Sequence, residues 1–129
     1  WVEPQNPLDL PSTFRKARML DIYRNLTESD FVDSVIIQAP GRLADPYWDK
    51  LRQRNPSTVL KYLADGGEIL RKHKKLYFVS TPPSYFYKQR EMIKEHFLSR
   101  GFPVFFSVLD AGRTILKMHE YYLKQKEIG

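Results

Sequence analysis

The segment Ala39-Pro40-Gly41-Arg42, followed closely by Asp45-Pro46, carries residue types from which an anion site is built. It comes directly after the apolar run Val35-Ile36-Ile37. The spacing predicts a buried strand, a Pro-Gly turn and a helix that Asp45 caps and Pro46 opens. Where such a turn meets a helix N-terminus, unpaired backbone N–H groups and the positive end of the macrodipole favour phosphate. Gly41 lets the main chain approach the anion, and Arg42 can add two hydrogen bonds to its oxygens. Pro40, Gly41 and Arg42 are therefore the candidate phosphate-binding residues. The same residues also suit a plain strand-to-helix turn with a solvated arginine, and Asp45 disfavours dense negative charge beside it.

Other residues offer less chemistry. There is no cysteine, which removes thiolate nucleophiles, thiolate metal ligands and disulfides. His73, His96 and His119 have no metal-ligand partner at a recognisable spacing. His73 is expected to be exposed, whereas His96 and His119 sit beside Phe97 and Met118, where a partly buried histidine is the ordinary outcome. Phosphate-binding P-loops, Rossmann glycine fingerprints, zinc-protease motifs and nucleophile elbows are all absent from the sequence. We expect no catalytic residue and no metal site in this chain. The tract Arg71-Lys72-His73-Lys74-Lys75 reads as positive charge complementing a helix C-terminus. Tyr85-Phe86-Tyr87, after Pro82-Pro83, could stack bases but better suits a cover over the sheet end. In Asn6-Pro7-Leu8-Asp9-Leu10, Asn6 and Asp9 can bond local backbone in an extended segment.

Positioning these residues takes alternating helices and strands. Helices are expected over residues 13–26, 46–52, 55–74 and 84–100, with a last one beginning near Asp110. Strands are expected at 32–38, 76–81 and 103–107, and residues 1–11 should be extended. Met19, Ile22, Tyr23 and Leu26 form one helical stripe, and Val108, Ala111, Ile115, Met118 and Tyr122 another. Asp65-Gly66-Gly67 should weaken or kink its helix, because glycine costs about 1 kcal/mol against alanine there. Gly101 suits the position just beyond a helix end. Strands of continuous apolar character, separated by helices, pair in parallel with both faces covered. The expected fold class is therefore α/β, a doubly wound parallel sheet in three α/β/α layers.

At 129 residues the chain should form one domain, and its 42% hydrophobic and 28% charged residues are ordinary for a globular protein. No apolar run reaches the roughly 20 residues of a membrane span, and Trp1-Val2-Glu3-Pro4 reads like the interior of a longer chain. A cytoplasmic location is the default without a signal peptide or cysteine. The net charge of +6 admits a nucleic-acid or phosphorylated partner, but the basic residues are spread along the helices.

Taken in order, Asn6-Pro7-Leu8-Asp9-Leu10, Val32-Asp33-Ser34-Val35-Ile36-Ile37 and Gly101-Phe102-Pro103-Val104-Phe105 resemble the NPxDL, VDAVLV and GxPVY segments of NDP-forming (ADP-forming) acyl-CoA synthetases. The helix from Ala111 resembles that family's closing helix, and the similarity runs from about Asn6 to Tyr122. The matching part is the flavodoxin-like ligase-CoA domain, related to the C-terminal domain of the succinyl-CoA ligase β-subunit. The family's first strand, glycine-rich turn and first helix have no counterpart here. Residues 55–75 are longer than the usual pattern, and Thr81-Pro82-Pro83-Ser84 replaces a small glycine-rich turn.

The resemblance implies a domain of an enzyme that joins a carboxylic acid to CoA with NTP, through acyl phosphate and phosphohistidine. No histidine here has the family's HTGA-like surroundings, so no cofactor is expected on this chain. CoA and ATP with magnesium would bind elsewhere in the parent enzyme. Its partners would be the CoA-binding, phosphohistidine and ATP-grasp modules, and the turn at Pro40, Gly41 and Arg42 would face the phosphohistidine. A strand at 32–38 left open by the missing upstream strand would favour a homo-oligomer. Two other readings remain: a non-catalytic α/β interaction domain, and a nucleic-acid-binding module.

Overall fold

The computed structural model describes residues 16–44, 56–83 and 87–129. The expected extended segment with Asn6 and Asp9, and the short helix at 46–52, lie outside them. Within the described residues the chain runs α1 (Lys16–Glu28), β1 (Ser34–Gln38), a 3-10 turn (Gly41–Ala44) and α2 (Pro56–Lys72). It continues through β2 (Leu76–Ser80), α3 (Tyr87–Ser99), β3 (Val104–Phe105) and α4 (Val108–Ile128). The strands form a parallel sheet in the order β1-β2-β3. Ser34 to Gln38 pair with Leu76 to Ser80, and Val79 and Ser80 pair with Val104 and Phe105. The chain is thus α/β, with strands where the apolar runs place them.

The third strand is shorter than its sequence suggests. Ser107 leaves the sheet to cap α4, its hydroxyl accepting the Asp110 N–H at 3.0 Å. At the other edge, Leu76 N–H bonds Asp33 C=O and Ala39 N–H bonds Ser80 C=O. By the two-residue period of a strand, the backbone groups of Ser34, Ile36 and Gln38 then point away from β2. No strand among the described residues pairs with them.

Tyr77 organises the main core. It projects from β2 beneath α2, and its hydroxyl donates to the Leu63 carbonyl at 2.9 Å. That uses its one proton, so the Tyr23 hydroxyl on α1 donates in turn to the Tyr77 oxygen at 2.9 Å. The rings of Tyr23 and Tyr77 meet edge to face at 6.0 Å, and those of Tyr77 and Phe102 at 5.2 Å. Leu60, Leu63, Ala64, Leu70, Val79, Ile93 and Phe97 close around them.

This packing accounts for Asp65-Gly66-Gly67. The sequence suggests a kink, yet α2 runs unbroken from Pro56 to Lys72. A β-carbon on Gly66 would overlap the Tyr23 ring. One on Gly67 would overlap the Tyr77 ring and come within 2.8 Å of Phe102 Cζ. The helix accepts glycine's propensity cost because two aromatic rings lie directly on its backbone.

Two helix ends share one closure. Gly101, at φ 78°, follows α3; its N–H bonds Leu98 C=O and the Phe102 N–H bonds Phe97 C=O. This is a Schellman motif. After α2 the same bonds run from Lys74 to Arg71 and from Lys75 to Leu70, with Lys74 at φ 59°. The basic tract around this second end is bonded into the fold. Arg71 stacks 4.1 Å over the Phe102 ring and donates to Arg100 C=O at 2.9 Å, and Lys75 donates to Ser29 and Val32 carbonyls.

The last helix differs from its sequence reading. Of the expected stripe only Ala111 is buried; Val108, Met118 and Tyr122 are 44–57% exposed. From Leu116 onward every residue is exposed. The reason is length: 21 helical residues span about 31 Å, against about 17 Å for a five-residue strand. The helix touches all three strands with its first turns and then overruns the sheet.

Gly66→Ala should destabilise the chain by about 1–2 kcal/mol, because overpacking outweighs the roughly 1 kcal/mol of helix propensity gained. Gly112→Ala, with nothing within 4 Å, should instead stabilise. Urea denaturation of both variants checks the opposite signs. Burial pushes the Tyr23 hydroxyl up to about 12, and burial with the neighbouring Tyr23 also raises Tyr77. A raised folded value gives stability that is complete below the unfolded value near 10 and is lost as pH climbs toward 12. Tyr23 alone should account for on the order of 2–3 kcal/mol of that alkaline loss. Tyr23→Phe should flatten the limb in unfolding free energies measured from pH 8 to 12. The edge of β1 that no described strand pairs with should also drive self-association. Sedimentation velocity should show dimer or larger species growing with concentration, and a monomer throughout would remove the edge as an interface.

Candidate functional site

The carboxyl ends of the strands converge where β1 gives way to the Pro-Gly turn. Ala39 N–H bonds Ser80 C=O at 2.8 Å, extending the β1–β2 ladder by one residue, and Leu43 N–H bonds Pro40 C=O at 2.9 Å to close the 3-10 turn. Ala39, Gly41 and Ala44 are buried and Pro40 is half-buried. Helix α3 packs on this turn. On the central strand, Ser80 and Thr81 are fully buried, and neither hydroxyl has a hydrogen-bond partner among the described residues. Burying a hydroxyl unpaired costs about 1–3 kcal/mol, so such groups concentrate where something else binds.

Arg90, on the first turns of α3, lies across the end of β3. Its guanidinium carbon is 5.2 Å from the Tyr87 ring centre and 4.8 Å from that of Phe106. Lys94 Nζ lies 5.9 Å from the same Phe106 ring. The Arg90 side chain is only 13% exposed, and its Nε is buried without a partner among the described residues. Among the described residues its ion-pair contact is Glu91, at 3.8 Å, beyond hydrogen-bond range. Arg100 makes the contrast: both its terminal nitrogens lie 3.1 Å from Asp65 Oδ1.

The structure places Pro40 and Gly41 in the turn at this end of the sheet, as their spacing suggests. Gly41 sits in a 3-10 conformation that any residue adopts. The Arg42 side chain lies outside the described residues, as do Asn6 and Asp9. Thr81 and Arg90 had no functional reading in the sequence. The available signal was Arg90 spaced three residues from both Tyr87 and Ile93, a charge on the inward face of its helix. Of the aromatic cluster, Tyr87 holds Arg90; Tyr85 and Phe86 lie outside the described residues.

The histidines are dispersed. His73 is exposed and bonds Ile69 C=O through Nδ1 at 2.8 Å. His96 is half-buried against Phe97, its Nε2 unpaired, while His119 is exposed on the overrunning part of α4 rather than partly buried. No cluster of histidine, aspartate and glutamate among the described residues could hold a metal ion. No helix among them is long and apolar enough to cross a membrane. A cavity of about 280 Å³ lies near the amino end of β2, between Leu76, Phe78, Phe105 and Met118. The cations on its rim, Arg71 and Lys75, are already bonded within the fold.

No protein-family model matches the chain, and neither a curated protein nor a solved structure matches it significantly.

Proposed function

We propose that this chain is a ligase-CoA-type domain of an NDP-forming acyl-CoA synthetase, with a flavodoxin-like, doubly wound core. The observation that carries the reading is the order of the resembling segments along the βαβαβα path. Ser34–Gln38, Val104–Phe105 and Val108–Ile128 follow one another in the order in which the resembling segments occur. The domain supplies the Pro40-Gly41-Arg42 turn toward a phosphohistidine carried by another module. CoA, and ATP with magnesium, belong to those modules. The parent enzyme works in the cytoplasm.

A specific observation favours a second reading, a non-catalytic interaction domain. Leu116, Tyr121, Tyr122 and Leu123 present 45–65% of their surfaces on the overrunning half of α4. Apolar groups gathered on one exposed element mark contact surfaces.

The two readings part on the full-length protein. A synthetase consumes NTP only with CoA and a carboxylic acid, releasing NDP as thioester forms. Arg42→Ala should slow phosphorylation of its histidine by about 10–100-fold, the worth of a charged hydrogen bond to phosphate, with the far-UV spectrum unchanged. This chain alone should take no label from γ-labelled ATP. Absence of CoA-dependent NDP release by the full-length protein would reject the synthetase, and base-stable label on His73, His96 or His119 would reject the division of labour.

A further inference from the structure

We infer that the carboxyl end of β2, between the Gly41–Ala44 turn and the first turns of α3, is an oxyanion-binding site whose donors are the Thr81 hydroxyl and the Arg90 guanidinium. Strand register brings the two together. Ser80 pairs with Phe105, and the Thr81 N–H donates to Phe105 C=O at 2.8 Å, so the next residue opposite Thr81 is Phe106. Register partners in a parallel sheet point to the same face, about 4.8 Å apart. The Thr81 side chain therefore leaves the sheet beside the Phe106 ring, and Arg90 lies on that ring.

Each donor is anomalous without a ligand. Thr81 Oγ1 is wholly buried and, among the described residues, unpaired, although backbone and side-chain partners satisfy both buried tyrosines in the same core. Arg90 carries a permanent charge at 13% exposure without a described carboxylate in hydrogen-bond range. Withdrawing a guanidinium from water without an anion is costly. Phe106 and Tyr87 recover part of that through their ring faces. They also cover the guanidinium faces, so the capacity left unspent among the described residues is the in-plane Nε–H. It suits an oxygen of a phosphate or carboxylate.

Phe106 and Tyr87 are 49% and 61% exposed, so the rings that cover the buried donors reach the surface, and an anion enters as they move aside. A hydroxyl beside a stacked guanidinium selects a single oxyanion group, on a free ion or at the end of a larger ligand. The inference stands without the synthetase reading, because it concerns this chain and a simple anion.

The test is a titration of the chain with inorganic phosphate, and in a second arm with acetate, chloride holding ionic strength constant. Saturable stabilisation in thermal unfolding, with a shift of the Arg90 Nε–H resonance, is expected in at least one arm. A response to phosphate alone assigns a phosphoryl ligand; a response to acetate too assigns a carboxylate. Thr81→Val keeps the shape and removes the orphan hydroxyl. It should leave the unliganded chain at least as stable, yet weaken the anion about tenfold. Arg90→Met, which keeps the packing between the rings, should abolish binding, and Arg90→Lys, which keeps charge without the fork, should weaken it. The inference is overturned if neither anion gives a saturable response, or if Thr81→Val and Arg90→Lys bind as the parent chain does.

Discussion

Tyr77 has to keep a hydroxyl in an apolar core, and most of the described structure follows from how that demand is met. The Leu63 carbonyl accepts its proton and the Tyr23 hydroxyl fills its oxygen, which fixes α1, α2 and β2 against one another. The geometry leaves no room for side chains where the rings cross α2, so Gly66 and Gly67 stand there. On the far side of Tyr77, Phe102 continues the ring contacts to Phe97 on α3. Arg71 covers Phe102 and reaches across to Arg100. One polar atom in the middle of the core thus sets the separation of three helices from the central strand.

The strands were legible because they are fully apolar runs bounded by turn residues, and pairing in parallel follows from the helices between them. Gly101 was legible for the same local reason. The glycine pair in α2 was read backwards, as a weakness, because propensity is local and the rings pressing on it lie 43 and 10 residues away in Tyr23 and Tyr77. The stripe on α4 has helical spacing, but sequence periodicity cannot say where the sheet beneath it stops. At the candidate site the Pro-Gly turn was visible in the chain. What lies across from it was not: Thr81 stands opposite Phe106, on whose ring Arg90 lies, only through the register of β2 with β3, a property of the folded sheet.

The excess of positive charge also changes meaning once the contacts are known. Arg71, Lys75 and Arg100 are tied to carbonyls, a ring face and Asp65. They serve helix ends and connections. Part of the charge that a composition assigns to a partner is here internal scaffolding. Arg90 is the exception among these, buried among rings without the bonding that holds the others.

The overrunning helix sets a gradient of local stability along one continuous element. Ala111 is buried, and the Ser107 cap holds the first turn to the sheet. Beyond Met118, among the described residues, backbone bonds and neighbours on the same helix are what resist opening. Isolated helices of about a dozen residues are marginal in water. The outer turns therefore fray and reform without involving the sheet, and their amides exchange hydrogen at low protection while those near Ala111 wait for larger openings. A partner that closes on the outer turns would convert this fraying segment into part of the cooperative unit, and its binding would be felt first as amide protection.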